Sequence, residues 1–246
     1  MSKSLAAKVN AVATMAPNLP PALVGGFETF VSKYNTPYVS FAQPAAKEQW
    51  QQLIRSLPNV EDGDPVLFMP NGTLVPLKPM QFIVCQYKQY FATVDAAGNE
   101  LERYSTDGGG MKERVWSALL VFTPTGIVPA TCMFKTTKCP AITGVISEVM
   151  ASTQPDWIKR GPAYEQAVAA CTLPNFRVIG EVRIIAKPGR GKGLPYKLAQ
   201  VTPRPTTAVE WEQLSKLNSD TVFLNDVAAG YAGRLAELNI KTLTAM

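Results

Sequence analysis

From Pro65 to Val201 the chain repeats one pattern: runs rich in β-branched and aromatic residues, cut apart by Gly, Pro and Asn. The turn residues leave most of these runs too short for a stable helix, which confines the middle of the chain to a sheet of closely connected strands. In Pro65–Leu77 two apolar runs flank Asn71-Gly72, the dipeptide best suited to a tight hairpin because both residues tolerate positive φ. Met80–Val94 predicts a long strand, with Ile83, Cys85, Tyr87 and Phe91 on one side and Gln86, Lys88 and Tyr90 on the other. After Asp95–Gly98 the chain returns through Leu101–Tyr104, and Asp107–Gly110 forms a loop. Arg114–Phe122 and Ile127–Thr136 make a hairpin about Thr123–Gly126. In its second strand Val128, Ala130, Cys132 and Phe134 share one face, opposite Thr131, Met133 and Lys135.

The last β-type stretch, Phe176–Arg204, adds charge to this pattern. Phe176, Val178, Val182 and Ile184 fall on one side of a strand, with Arg177, Glu181, Arg183 and Lys187 on the other. Pro188–Gly193 then presents Arg190 and Lys192 on a glycine-rich turn, and Tyr196–Val201, with Lys197, is the returning strand. No acidic residue occurs between Glu181 and Glu210. The net charge is only +5, but Arg103–Arg204 holds fourteen Lys and Arg against six Asp and Glu, whereas Pro205–Met246 holds three against five. Positive charge concentrated on one part of a sheet points to an anionic partner.

Helical signals flank the β region. Trp50, Leu53, Ile54 and Leu57 recur on one helix face, before Pro58 ends the run. Pro140–Ala151 predicts a helix that buries Ile142, Val145, Ile146 and Val149, and Asp156–Cys171 supplies a second helical piece. Thr207 and Glu210 have capping-box spacing, which predicts a helix to about Leu217. Beyond it, Leu224, Val227, Ala228, Tyr231, Leu235 and Leu238 form a stripe that packs on the domain or on a second subunit. The expected organisation is therefore an N-terminal arm and helix over residues 1–64, a β domain over 65–204 and a helical extension over 205–246.

Several chemistries lack their residues. The chain has no histidine, which removes the commonest general base and every Ser-His or Cys-His system. Cys85, Cys132, Cys139 and Cys171 contain no C-x-x-C pair and read as buried thiols rather than a zinc site. The glycines at 108–110 and 189–193 lack phosphate-loop spacing. Glu61, Asp62 and Asp64 form the one tight acidic cluster. It reads as a solvated turn, against the alternative of a divalent-metal site in a nuclease. The N-terminal SLAAKVNAVATMAP lacks the core and cleavage site of a signal peptide, and no run has the length of a membrane span, so an intracellular protein without cofactor is expected.

The order of elements from Met80 onward is a strand, a two-stranded hairpin, a helix from Pro140 and two further strands. It resembles the oligonucleotide-binding barrel (OB-fold), over roughly residues 65–204. With its cationic hairpin it is similar to phage-type single-stranded-DNA-binding proteins. That resemblance implies a β-rich α+β fold built on an OB-like antiparallel barrel, with a helical insert, an N-terminal arm and C-terminal helices. It also implies a non-catalytic protein that coats exposed single strands in DNA replication, recombination or repair, in the cytoplasm of a bacterial or phage-infected cell. Phosphates would be met by Lys88, Lys135, Lys138, Arg177, Arg183, Lys187, Arg190, Lys192, Lys197 and Arg204, and bases by the rings of Tyr90, Trp116 and Tyr196. Trp116 shares its strand face with Leu120 and Phe122, so a core role competes for it. The acidic C-terminal tail of many single-strand-coating proteins has no counterpart in Leu238–Met246. A competing reading is a structural or assembly protein of a phage-like particle.

Overall fold

The computed structural model describes residues 37–42, 49–96, 99–135, 138–147, 178–187, 196–218 and 235–242. Asn71-Gly72 makes the expected hairpin between β2 (Pro65–Phe68) and β3 (Leu74–Pro76). Gly72 takes φ 85°, its amide donates to the Met69 carbonyl at 2.9 Å, and the Asn71 side chain accepts from the Thr73 amide at 3.1 Å. β4 (Met80–Val94) is the long strand read from the sequence, followed by β5 (Glu100–Tyr104), β6 (Lys112–Thr123), β7 (Gly126–Lys135), β8 (Val178–Lys187) and β9 (Tyr196–Pro205). A four-residue strand, β1 (Tyr38–Phe41), and helix α1 (Gln49–Ser56) precede them. Helix α2 is described over residues 139–147, and α3 (Ala208–Asn218) follows β9 directly.

The protein is β-rich α+β, with one curled sheet ordered β3-β2-β1-β7-β6-β4-β8-β9 and β5 paired to β4. The sheet is mixed, and this corrects the expectation of a wholly antiparallel one: β1 lies parallel to β7, with Tyr38 opposite Thr131 and Val39 opposite Cys132. β1 meets a strand some ninety positions later in the chain, so no turn chemistry in the sequence announces its direction. It is also an interior strand, between β2 and β7, so the sheet extends into residues assigned to the N-terminal segment.

Both faces of the sheet carry apolar side chains. One cluster joins Phe82, Val84, Leu119, Val121, Ala130, Cys132 and Phe134 to Ile142, Val145 and Ile146 of α2. The other joins Ile83, Cys85, Tyr90, Trp116, Ala118 and Leu120 to Leu214 of α3 and Leu238. A third, smaller cluster packs Leu53, Ile54 and Leu57 of the α1 region on Val66 and Phe68. The helical stripes read at 53–57 and 142–146 are thus core contacts. The expected helical piece at 156–171 and most of the 224–238 stripe lie outside the described residues, apart from buried Leu238 and exposed Leu235.

β4 departs from simple alternation. Its register with β6 shifts between Val84 and Gln86, a bulge at Cys85. An extra residue in one strand reverses which parity faces which way. Ile83 and Cys85 therefore share the second cluster with Tyr90, whereas Tyr87 pairs with Ser117 on the opposite face. The grouping of Ile83 and Cys85 with Tyr87 and Phe91 is overturned by this one residue. Near the start of β4, Gly180 of β8 lies opposite Phe82. A Cβ on Gly180 would come within 2.6 Å of the Phe82 ring, so this glycine makes room for the aromatic side chain beside it.

Candidate nucleic-acid interface

Residues directly opposite one another on neighbouring strands share a face of the sheet. One row runs Lys88–Trp116–Met133 and the next runs Tyr90–Arg114–Lys135. A third runs Arg103–Ala92–Lys112. All three belong to the face that holds the second apolar cluster. From strand spacing and rise, the backbones of Lys112 and Lys135 stand about 8 Å apart and those of Lys135 and Lys88 about 12 Å apart. Lys88, Lys112 and Lys135 are exposed, and among the described residues none of them is joined to a carboxylate. Arg183 and Lys187 of β8 are exposed on the same face, because Glu181 two residues before Arg183 lies opposite Gln81.

The expected cations divide accordingly. Lys88, Lys135, Arg183 and Lys187 are presented to solvent, although Arg183 donates to Glu181 at 2.8 Å. Arg204 is committed to a fork with Glu210, at 2.6 and 3.0 Å, so it holds the start of α3 to the β8–β9 hairpin. The Arg204 guanidinium keeps the Glu210 carboxyl at about 2, far below its ordinary 4.5. Glu210 completes the expected capping box, accepting from the Thr207 amide at 2.9 Å while the Thr207 hydroxyl accepts from the Glu210 amide at 3.3 Å. Lys138 lies over the Phe41 ring. Arg177, Arg190 and Lys192 lie outside the described residues. The backbones of Tyr196 and Lys197 pair with Lys187 and Ala186, and their side chains are outside the described set.

Two of the expected stacking rings are core residues. Tyr90 is 0% exposed and Trp116 4%, and neither offers an open face to a base. Alternation with Gln86 and Lys88 predicts an outward Tyr90, but the Glu100 and Arg103 side chains of β5 and Leu238 close over it. Its hydroxyl donates to Glu100 at 3.1 Å. Burial, then the Glu100 carboxylate, pushes the Tyr90 phenol above its ordinary value. Glu100 also receives Arg103 and Arg114, each at 2.9 Å. Burial alone would raise this carboxyl, but the two guanidinium hydrogen bonds outweigh it and hold it below the ordinary carboxylate range. Arg103 further donates to the Leu238 carbonyl at 3.0 Å. The cluster fastens β5 and the C-terminal segment to the sheet.

Lys112, Arg103 and Arg114 were not among the cations singled out from the sequence. Lys112 and Arg114 alternate with Trp116, so starting β6 two residues earlier would have brought Lys112 to the same face. Glu61, Asp62 and Asp64 form a turn, but it is not the wholly solvated one expected, because Asp64 is buried. Asp64 accepts from the Glu61 amide at 2.7 Å and pairs with Lys78 at 2.6 Å, while Asp62 pairs with Arg55. Among the described residues no group of three or more His, Cys, Asp or Glu is placed to hold a metal ion, and no helix is long and apolar enough to cross a membrane. No family model matches the chain, and no curated protein or solved structure is significantly similar to it.

Proposed function

We propose that this protein binds single-stranded DNA, without sequence preference, through the lysine-bearing face of the β4–β7 region, with the β8–β9 hairpin at the other end of β4 as a second contact. The observation that carries the reading is the convergence of Lys88, Lys112 and Lys135 on one face, exposed and without carboxylate partners among the described residues. Such lysines neutralise phosphates and release counterions, a source of affinity that does not depend on base identity. The finer fold reading, an OB-like wall, draws support from β4. Its first residues pair with β8, its last with β5, and its other edge with β6, about a bulge of the kind that bends barrel strands. Base stacking in this reading falls to Tyr196 and not to Tyr90 or Trp116.

The test is a salt titration of binding to a thymidylate oligonucleotide and to duplex of the same length. Three phosphate contacts on a single strand predict a slope of about −2 in log K against log salt. The single strand is expected to bind more tightly than duplex. Failure to bind either at low salt would falsify the reading.

A further inference from the structure

Three places in the chain set a carboxyl or carboxamide side chain directly before glycine: Asp62-Gly63, Asn71-Gly72 and Asp107-Gly108. In each, the glycine nitrogen can attack the preceding side-chain carbonyl carbon, because glycine has no Cβ to obstruct the approach. The three differ in what the fold does with that nitrogen. The Gly63 amide donates to the Ala42 carbonyl at 2.8 Å, and Asp62 is paired with Arg55. The Gly72 amide donates to the Met69 carbonyl at 2.9 Å, while the Asn71 side chain accepts from the Thr73 amide at 3.1 Å. Both nitrogens are held, so reaction at either pair needs a local opening that breaks these bonds. Asp107-Gly108 is different. Ser105–Gly110 is exposed throughout, and the Gly108 amide has no backbone acceptor among the described residues. Asp107 Oδ1 accepts from the Gly109 amide at 3.0 Å, which folds the carboxyl forward across Gly108. At Gly109 and Gly110, with φ 92° and 72°, an added Cβ would meet nothing within 4 Å, so the loop has open space in which to change shape.

We propose that Asp107-Gly108 is a site of spontaneous backbone modification, where the folded protein forms a cyclic imide and from it isoaspartate, and that the fold suppresses the same reaction at Asn71 and Asp62. The Gly108 nitrogen bonds to Cγ of the un-ionised Asp107 carboxyl and gives up its proton, and the carboxyl hydroxyl leaves with that proton as water. A second water adds to the main-chain carbonyl carbon of Asp107 and breaks its bond to the Gly108 nitrogen, which regains a proton. The peptide link then runs through the side-chain carbon, with one more methylene in the backbone and the former main-chain carboxyl as a charged branch. No oxidant or reductant is consumed. Residue type alone favours Asn71-Gly72, because a carboxamide releases ammonia more readily than a carboxyl releases hydroxide. The hydrogen bonds that hold the β2–β3 hairpin oppose that preference. The altered link falls shortly before Lys112, where the chain enters β6.

Asp107→Asn puts the same dipeptide in both loops of one molecule, so that the fold becomes the main difference between them. The full-length variant is aged at neutral pH and digested, and each peptide is scored by mass spectrometry for the mass gained when amide nitrogen is replaced by oxygen. Position 107 is expected to react at least about fivefold faster than Asn71, the factor that corresponds to opening one net hydrogen bond. In urea that advantage should be lost. In the parent protein, isoaspartate is detected by enzymatic methylation of its new carboxyl. It should accumulate at Asp107 no more slowly in the folded state than in urea, whereas Asp62 should need unfolding. A folded-state rate at position 107 equal to or below that at Asn71 overturns the proposal, and so does isoaspartate at Asp62 that keeps pace with Asp107.

Discussion

The two halves of β4 differ in what they face. Met80–Val84 is buried on both sides, with Phe82 and Val84 in one cluster and Ile83 in the other. Beyond the Cys85 bulge, Tyr87, Lys88 and Gln89 are exposed and charged residues gather on the strands alongside. The first half builds the core, whereas the second follows an exposed run at Tyr87–Gln89 with the buried Tyr90 and Ala92. A bulge lets that happen because it bends the strand and changes which parity meets the core.

Replacing Phe82 by Ala is the strongest way to break the buried half. Its ring is 0% exposed and lies across Gly180, so a loss of about 3–5 kcal/mol is expected in urea unfolding. Gly180→Ala attacks the same contact from the other strand and should cost about 1–3 kcal/mol, because the added methyl would stand 2.6 Å from a fully buried ring, which would have to shift. If either variant were as stable as the parent, the packing of Phe82 on Gly180 would have to be abandoned.

The distal half depends on charge pairing. Glu100→Gln strands Arg103 and Arg114 without their shared carboxylate and should cost about 2 kcal/mol at neutral pH, less than a fully buried pair because Glu100 keeps some contact with solvent. Its carboxyl titrates below the ordinary range when folded, so its contribution is complete above the unfolded value near 4.5 and is lost as the pH falls. Glu210 follows the same sign with a wider window, from the ordinary 4.5 down to about 2. Glu210→Gln should therefore lower stability by about 1 kcal/mol at pH 7 and flatten the acid limb between those values. Unfolding curves recorded across that range measure both effects, and an unaltered acid limb in Glu210→Gln would rule out the Arg204–Glu210 fork as its source.

The smallest stability effect is expected at the lysines themselves. Changing Lys88, Lys112 and Lys135 together to Gln should alter stability by no more than about 0.5 kcal/mol, yet remove most of the salt dependence of binding, with each lysine accounting for about 0.7 of the slope. A triple variant that keeps the parental slope would move the phosphate contacts elsewhere, the β8–β9 hairpin being the first place to look.

Much of the fold was legible because it rests on local chemistry. Asn71-Gly72 makes its hairpin, Thr207 and Glu210 cap their helix, and β7 alternates about Cys132 and Phe134, all through neighbours a few residues apart. The site was legible only in part. Lys88 and Lys135 are solvent-facing as expected, but Tyr90 is covered by β5 and the C-terminal segment, and Lys138 turns onto Phe41.

The sequence by itself determined the succession of strands, the caps and turns between them, the concentration of positive charge and the lack of histidine. Only the tertiary structure decided that β1 joins β7 in parallel, that Cys85 bulges and that Lys241 answers Glu102 rather than solvent. The physical reason is range. Turn and capping preferences are set by groups within a few residues of one another, whereas strand neighbours, bulges and charge partners are chosen by packing between segments that the chain order keeps far apart.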